Sequence, residues 1–138
     1  MKILGRHLIV ELADCDRAML DDVALMEQHL TEAARLSGAT IVQSVFHRYN
    51  PQGVSGVVVI AESHVSLHTW PEYGYAAVDF FTCGDRVDPY KALDYLREKL
   101  RAGSAQIREL KRGIPSPTDE TIDHKPSVPS VRRAASAG

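Results

Sequence analysis

The stretch IVQSVFHRYNPQGVSGVVVIA, residues 41–61, contains two apolar runs separated by turn-forming residues. Ile41–Tyr49 and Val54–Ala61 are rich in β-branched and aromatic side chains, which favour strands. Between them lies Asn50-Pro51-Gln52-Gly53, in which proline fixes one dihedral angle and glycine tolerates positive ones. The pattern predicts a β-hairpin, and therefore a sheet with antiparallel pairing.

Further strands are predicted on both sides of this hairpin. Val65–Trp70 alternates between two kinds of side chain and stops at a proline, and Tyr75–Thr82 forms another apolar run. Ile3–Leu12 has the composition of a first strand, and Ala105–Leu110 is predicted to return as a last one. Together with the hairpin, these segments predict a mostly antiparallel sheet.

Two helices are predicted between the strands. Apolar residues recur at spacings of three and four from Met19 to Ala33, which predicts a helix over Arg17–Ser37. Asp88-Pro89 starts the second helix, because the carboxylate caps it and proline loses only an unpaired N–H, and Gly103 ends it. The order resembles a strand-helix-strand-strand unit used twice. The simplest packing is an α+β two-layer sandwich with both helices on one face of the sheet.

Length and composition bound the number of domains and the classes of partner. The 138 residues are enough for one compact domain, which we place at residues 1–112. Residues 113–138 are rich in Pro, Ser, Thr and Ala and are predicted to form a disordered tail. A net charge of −2 gives no general attraction to nucleic acid or to an anionic membrane. No apolar run approaches the roughly 20 residues of a membrane span, and two cysteines without a CxxC spacing fit a cytoplasmic protein.

Three common kinds of site find little support in the polar segment after the hairpin. By a rise of ~3.3 Å per residue, His64 and His68 lie roughly 13 Å apart on a strand, too far to share one metal ion, so no metal is expected. A serine hydrolase would need a Gly-x-Ser-x-Gly elbow, whereas Ser55 lies between strand residues. The nearby glycines precede a strand and not a helix, which argues against a phosphate-binding loop.

One set of motifs resembles a known family. Glu62-Ser63-His64, followed by His68–Ala76 and Phe81–Gly84, is similar to the bacterial and archaeal S-adenosylmethionine decarboxylases. Further segments that look like the family are Leu4–Leu8, Ser37–Thr40, Phe46–Tyr49 and Gly53–Val59. The resemblance therefore runs from about Lys2 to Arg112. It implies homodimers in which two sheets pack face to face, giving a four-layer sandwich.

The resemblance also implies self-cleavage between Glu62 and Ser63, into chains 1–62 and 63–138. Decarboxylating an amino acid leaves a carbanion, so an enzyme without pyridoxal phosphate needs another carbonyl that forms a Schiff base with the substrate. In this family that carbonyl is a pyruvoyl group, here derived from Ser63. The decarboxylated product would be the aminopropyl donor for spermidine synthesis.

Roles for other residues follow from the same resemblance. Ser55 would hydrogen-bond the oxyanion or ester formed during cleavage, and His68 would remove the Cα proton of Ser63. Cys83 would donate a proton to the product after carbon dioxide leaves.

For the substrate, Glu72 would accept hydrogen bonds from the ribose hydroxyls of S-adenosylmethionine, and Tyr49 would stack on the adenine. Phenylalanine is more common at the position of Tyr49 in this family. Two alternatives stay open at this point. One is a pyruvoyl-dependent arginine or ornithine decarboxylase of the same family, and the other is a non-catalytic regulatory paralogue.

Overall fold

The structure, a computed structural model, describes residues 3–114. Within that range six strands and three α-helices follow one another, with one turn of 3-10 helix at Pro71–Tyr73. The strands are β1 (Gly5–Ala13), β2 (Ile41–Arg48), β3 (Val54–Ile60), β4 (Ser63–Trp70), β5 (Tyr75–Cys83) and β6 (Ser104–Arg112). The helices are α1 (Arg17–Leu20), α2 (Val23–Leu36) and α3 (Pro89–Lys99).

All the described strands form one antiparallel sheet in the order β2-β3-β4-β5-β1-β6. The predicted antiparallel architecture is therefore confirmed. The β2–β3 hairpin is confirmed as well, and its turn is closed by the N–H of Tyr49, which donates to the carbonyl of Gly53 at 2.8 Å. The first strand inserts between β5 and β6, which places Gly5 opposite Cys83 at one end of the sheet.

The helices cover one face of the sheet. Buried and more exposed residues alternate along β4, where Val65, Leu67 and Thr69 are buried. The buried apolar strand residues form a single core with α2 and α3, to which Met26 and Leu96 contribute. This burial of apolar surface is the main force that joins the two layers. The two-layer α+β fold is thus confirmed, and the described helices leave the other face, here called the open face, uncovered.

The predicted helix over Arg17–Ser37 is wrong in one respect, because the chain divides it into α1 and α2 at Asp21 and Asp22. Asp22 is extended, and its carboxylate caps α2 by accepting the N–H of Leu25 at 3.0 Å. Asp21 instead contacts the β2–β3 turn, where its carboxylate accepts the N–H of Gly53 at 2.9 Å. The apolar stripe continues across the break, so periodicity alone does not reveal it.

The ends of the strands also differ from the prediction by one or two residues, and in β4 and β6 the sheet pairing gives the reason. β4 begins at Ser63 and not at Val65, because Ser63 already pairs with Thr82 of β5. β6 runs on to Arg112 through polar residues, since its backbone pairs with β1 along its whole length. The predicted tail lies outside the described residues, apart from its first two positions. None of the described helices is long and apolar enough to cross a membrane.

Candidate active site

Ser63, the first residue of β4, and the peptide bond before it lie at one end of the sheet, where a tight connection joins β3 to β4. Ser63 has a φ of 147°, a positive value that residues other than glycine rarely adopt. Backbone conformations of this kind cost about 1–3 kcal/mol and persist only where the surrounding structure holds them. The bond predicted to be cut therefore lies at a strained position of the backbone.

The carbonyl group of Glu62 accepts a hydrogen bond from the end of β5. The donor is the N–H of Cys83, 3.0 Å from the Glu62 carbonyl oxygen. A donor in this position also stabilises the negative charge that develops on the oxygen when the carbonyl carbon is attacked. At Gly5, which pairs with Cys83, an added Cβ would lie 3.1 Å from the Cys83 sulfur and 2.7 Å from the Phe81 ring. Gly5 therefore leaves room for the thiol.

The same connection is also attached to the loop before β2. The N–H of Ala61 donates to the carbonyl of Thr40 at 2.9 Å, and the N–H of Thr40 donates to the Glu62 carboxylate at 3.2 Å. Glu62 is thus held through both its backbone and its side chain. Glu62, Ser63 and Cys83 are called the cleavage-site cluster below.

His64 contacts this cluster, which sequence reasoning missed. Its Nδ1 lies 3.3 Å from the hydroxyl oxygen of Ser63. Neighbouring side chains on a regular strand point to opposite faces, and the positive φ at Ser63 departs from that geometry. An imidazole in this place is suited to accept the hydroxyl proton. Across residues 3–114, no three His, Cys, Asp or Glu side chains converge as metal ligands.

Ser55 and His68, the residues predicted to assist processing, face each other on β3 and β4. Ser55 Oγ and His68 Nδ1 are 2.6 Å apart, and the tautomer of the imidazole decides which of them donates. The His68 ring has centroid distances of 4.4 Å to Trp70 and 5.9 Å to Tyr49. Tyr49, Ser55, His68 and Trp70 are called the histidine cluster below.

Glu72 and an open cavity lie near the histidine cluster. Glu72 is exposed in the 3-10 turn that directly follows Trp70. The cavity, of about 380 Å³, is lined by residues of β2, β3 and β4, among them His47 and Ser55. Aromatic rings, a carboxylate and a cavity are features that suit a ligand with both apolar and hydroxyl groups.

The structure divides the predicted site residues between the two ends of β4. Ser63 begins the strand and His68 stands five positions later. At ~3.3 Å per residue, these two positions are about 17 Å apart. Proton transfer requires hydrogen-bond contact, so His68 cannot act on Ser63 of the same chain. One chain therefore holds two separate halves of the predicted site, with Cys83 beside Ser63 and Ser55 beside His68.

A family model decides the family of this chain. The model described as S-adenosylmethionine decarboxylase matches residues 6–113, which include both clusters. The chain belongs to the S-adenosylmethionine decarboxylase family. The resemblance found in the sequence motifs is thereby confirmed.

Relatives within the S-adenosylmethionine decarboxylase family match most of the chain. Proteins from Thermotoga maritima and Fervidobacterium nodosum, both called S-adenosylmethionine decarboxylase proenzyme, are 59% identical over 113 residues, or 82% of this chain. The matches cover 87% of the first protein and 82% of the second. The crystal structure of the adenosylmethionine decarboxylase from Aquifex aeolicus has a TM-score of 0.79 at 35% identity, and the match covers 86% of this chain and 98% of that one.

Proposed function

We propose that this chain is a self-processing, pyruvoyl-dependent S-adenosylmethionine decarboxylase that cleaves its own Glu62–Ser63 bond. The name proenzyme, borne by a relative 59% identical, supports a processing step. The observation that carries the proposal is the Glu62 carbonyl, which accepts the Cys83 N–H at 3.0 Å directly before a serine with a φ of 147°. A polarised carbonyl and a strained nucleophile meet at the bond that the resemblance predicts to be cut.

Self-cleavage begins with attack of Ser63 Oγ on the carbonyl carbon of Glu62. The Cys83 N–H stabilises the charge that develops on the carbonyl oxygen, and His64 Nδ1, 3.3 Å from Oγ, takes the hydroxyl proton. Return of this proton to the nitrogen of Ser63 allows the C–N bond to break, and the acyl group of Glu62 passes from that nitrogen to the Ser63 oxygen, giving an ester with a free amine. Loss of the Cα proton expels the Glu62 carboxylate, and hydrolysis releases ammonia and leaves a pyruvoyl group at position 63.

His68 and Ser55 act in these steps across an interface between two copies of the chain. In the arrangement we propose, the open faces of two copies face each other. A two-fold axis runs between the two sheets, perpendicular to β4 and level with its middle. This axis brings the Ser63 end of one copy against the His68 end of the other, and two equal sites form. In each site, His68 of one copy removes the Cα proton of Ser63 in the other. Ser55 hydrogen-bonds the oxyanion or the ester.

The open face supports such a homodimer. Val45, Val59 and Trp70, on strands whose other face packs in the core, are 55%, 39% and 36% exposed. Apolar side chains on a face that no described helix covers favour association with another surface. A second sheet packed about 10 Å away would bury them and would give the predicted four-layer sandwich.

In the mature enzyme, the pyruvoyl group at position 63 supplies the carbonyl that takes up electrons during decarboxylation. Cys83 follows Thr82, the strand partner of position 63, and donates a proton to the substrate Cα after carbon dioxide leaves. Glu72 accepts hydrogen bonds from the ribose hydroxyls, and Tyr49 stacks on the adenine. The decarboxylated product is the aminopropyl donor for spermidine synthesis.

The alternative functions have less support. The relatives compared carry the name of the S-adenosylmethionine enzyme, and arginine and ornithine have neither the ribose nor the adenine that Glu72 and Tyr49 would contact. A non-catalytic paralogue would be expected to lack a reactive group, whereas Ser63, His68 and Cys83 are all present.

Intact-mass measurement of the purified protein tests the proposal. We expect two chains, residues 1–62 and a pyruvoyl-blocked chain that begins at position 63. A single chain that keeps the mass of all 138 residues would contradict self-cleavage. Release of labelled carbon dioxide from S-adenosylmethionine, arginine and ornithine tests the substrate, and faster release from either free amino acid would overturn our choice.

A further inference from the structure

The break between α1 and α2 is attached to the β2–β3 turn by Asp21. One carboxylate oxygen of Asp21 accepts the N–H of Gly53 at 2.9 Å, and the other accepts Nη2 of Arg48 at 2.7 Å. Arg48 also donates from Nε to the Asp21 carbonyl at 3.2 Å and from Nη2 to the Pro51 carbonyl at 3.3 Å. Asp21 and Arg48 together therefore hold both sides of the turn.

The Asp21 contacts lead directly to Tyr49 of the histidine cluster. Tyr49 follows Arg48 in the chain, and its N–H donates to the carbonyl of Gly53 at 2.8 Å. Gly53 thus accepts from Tyr49 through its carbonyl while it donates to Asp21 through its N–H. Any movement of the turn away from Asp21 would move the backbone that carries the Tyr49 ring.

A second connection joins the helix break to β3. The buried hydroxyl of Thr69 donates to the carbonyl of Leu20 at 2.8 Å and accepts the N–H of Val54 at 3.0 Å. Val54 directly precedes Ser55, the hydrogen-bond partner of His68. Because Thr69 holds this strand from the buried side, the start of β3 keeps an anchor that does not depend on Asp21.

Helix capping does not explain the contacts that the Asp21 carboxylate makes with the turn. Asp22 is the N-cap of α2 and accepts the N–H of Leu25 at 3.0 Å, while Asp16 caps α1 and accepts the N–H of Met19 at 3.0 Å. Hydrogen bonds from Arg48 and Gly53 lower the pKa of the Asp21 carboxyl below its ordinary value, because both stabilise the ionised form. Its charge is directed at the turn.

We propose that Asp21 is a positioning residue for substrate binding, which holds the β2–β3 turn so that the Tyr49 ring stays fixed beside His68. The inference deepens the proposed function and rests on it, because it takes the adenine contact of Tyr49 as given. Asp21 itself touches neither the substrate nor the cleaved bond. Its loss therefore affects the binding of S-adenosylmethionine and leaves self-cleavage intact.

Steady-state kinetics of Asp21→Ala test the positioning role. We expect complete self-cleavage, a KM for S-adenosylmethionine raised about tenfold, and kcat changed much less, the pattern of lost binding that ground and transition states share. Asp22→Ala is the matched control, because it removes one carboxylate bond to a backbone N–H at the neighbouring position without touching the turn. It should lower thermal stability and leave KM unchanged.

A double-mutant cycle shows whether Asp21 acts through Tyr49. Tyr49→Ala alone should raise KM, and adding Asp21→Ala to it should raise KM no further, since the ring to be positioned is gone. The proposal would be overturned if the increase in KM of the double variant equalled the product of the two single increases. An unchanged KM in Tyr49→Ala would overturn it as well. Asp21→Asn serves if Asp21→Ala does not fold, because it keeps an acceptor for Gly53 and loses the charge that binds Arg48.

The test of the positioning role of Asp21 can fail independently of the test of the proposed function. Release of carbon dioxide by the wild-type protein tests the function, whereas only the ratio of KM values between variants tests Asp21. An active wild type with equal KM values for Asp21→Ala and Asp22→Ala would refute the positioning role alone.

Discussion

The two ends of β4 contribute to one proposed site in different ways, one mainly through its backbone and the other mainly through its side chains. In the cleavage-site cluster the backbone matters most for the proposed cleavage, because the φ of Ser63 and the N–H of Cys83 affect the Glu62–Ser63 peptide bond. In the histidine cluster the side chains are decisive, since a hydroxyl contacts an imidazole that has aromatic rings nearby. A backbone N–H survives replacement of its side chain, whereas an imidazole does not. The two ends should therefore respond differently to substitution.

The largest effect is expected from Ser63→Ala. The substitution removes the hydroxyl that attacks Glu62, so the chain should stay whole and have no decarboxylase activity. Intact mass and carbon dioxide release measure both losses. Ser66→Ala is a suitable control, because it removes a hydroxyl from the same strand that donates to the Asp79 carboxylate at 3.1 Å and not to the bond proposed to be cut. Cleaved Ser63→Ala protein would contradict the mechanism.

Cys83→Ala should separate the two proposed functions of the cleavage-site cluster, which are self-cleavage and proton donation during decarboxylation. The N–H that reaches the Glu62 carbonyl remains, so we expect self-cleavage, but the thiol that donates a proton is gone. Loss of a general acid should lower kcat on the order of 10²–10⁴-fold. Mass measurement gives the cleavage and carbon dioxide release gives kcat. An uncut Cys83→Ala protein would show that the thiol, and not the backbone, is needed for cleavage.

Glu72→Gln should have a smaller effect, confined to binding at the histidine end. The amide accepts weaker hydrogen bonds from the ribose hydroxyls than the carboxylate does, so KM for S-adenosylmethionine should rise roughly tenfold with complete self-cleavage. Glu98→Gln, at an exposed position on α3, is the matched control and should leave KM unchanged. Equal KM values for the two variants would remove Glu72 from the substrate site.

The last prediction concerns the chemical reactivity of the two thiols and involves no change of activity. Cys15, whose N–H donates to the Gly74 carbonyl at 2.9 Å, is buried, and burial with the nearby Asp14 charge raises its pKa to about 11. Only the thiolate reacts, so at pH 8 iodoacetamide should modify native Cys15 at least about tenfold more slowly than half-buried Cys83. Peptide mass mapping measures both rates, and the difference should vanish in denaturant. Equal rates of modification of Cys15 and Cys83 in the native protein would contradict the claim that burial makes the Cys15 thiol unreactive.

Much of the fold can be predicted from local sequence. The predictions that are wrong concern places where the chain contacts residues far away in the sequence. The Asn50–Gly53 turn and the alternation along the strands determine the hairpin and the buried face. The break at Asp21 has only a weak local signal, the N-cap aspartate Asp22, because neither glycine nor proline is present and the apolar stripe continues through it. The Asp21 side chain at this break contacts Arg48 and Gly53, which lie far along the chain.

The residues of the candidate site could be chosen from the motifs, but their arrangement could not. Strand rise alone separates Ser63 from His68, and the motif gives no information on which copy of the chain supplies the second half. His64 was missed because regular alternation would direct it away from Ser63, and only the positive φ brings the two together. Long-range pairing and local strain therefore account for what the sequence did not reveal.

The central claim, that two copies each supply half of a site, is tested most directly by expressing Ser63→Ala and His68→Ala together under two different tags. Each variant alone should remain uncut. In the doubly purified pair, the His68→Ala chain should be cleaved, because its Ser63 meets His68 of the other copy, and the Ser63→Ala chain should stay whole. A His68→Ala chain that is cleaved alone, or that remains uncut in the mixed pair, would contradict the account.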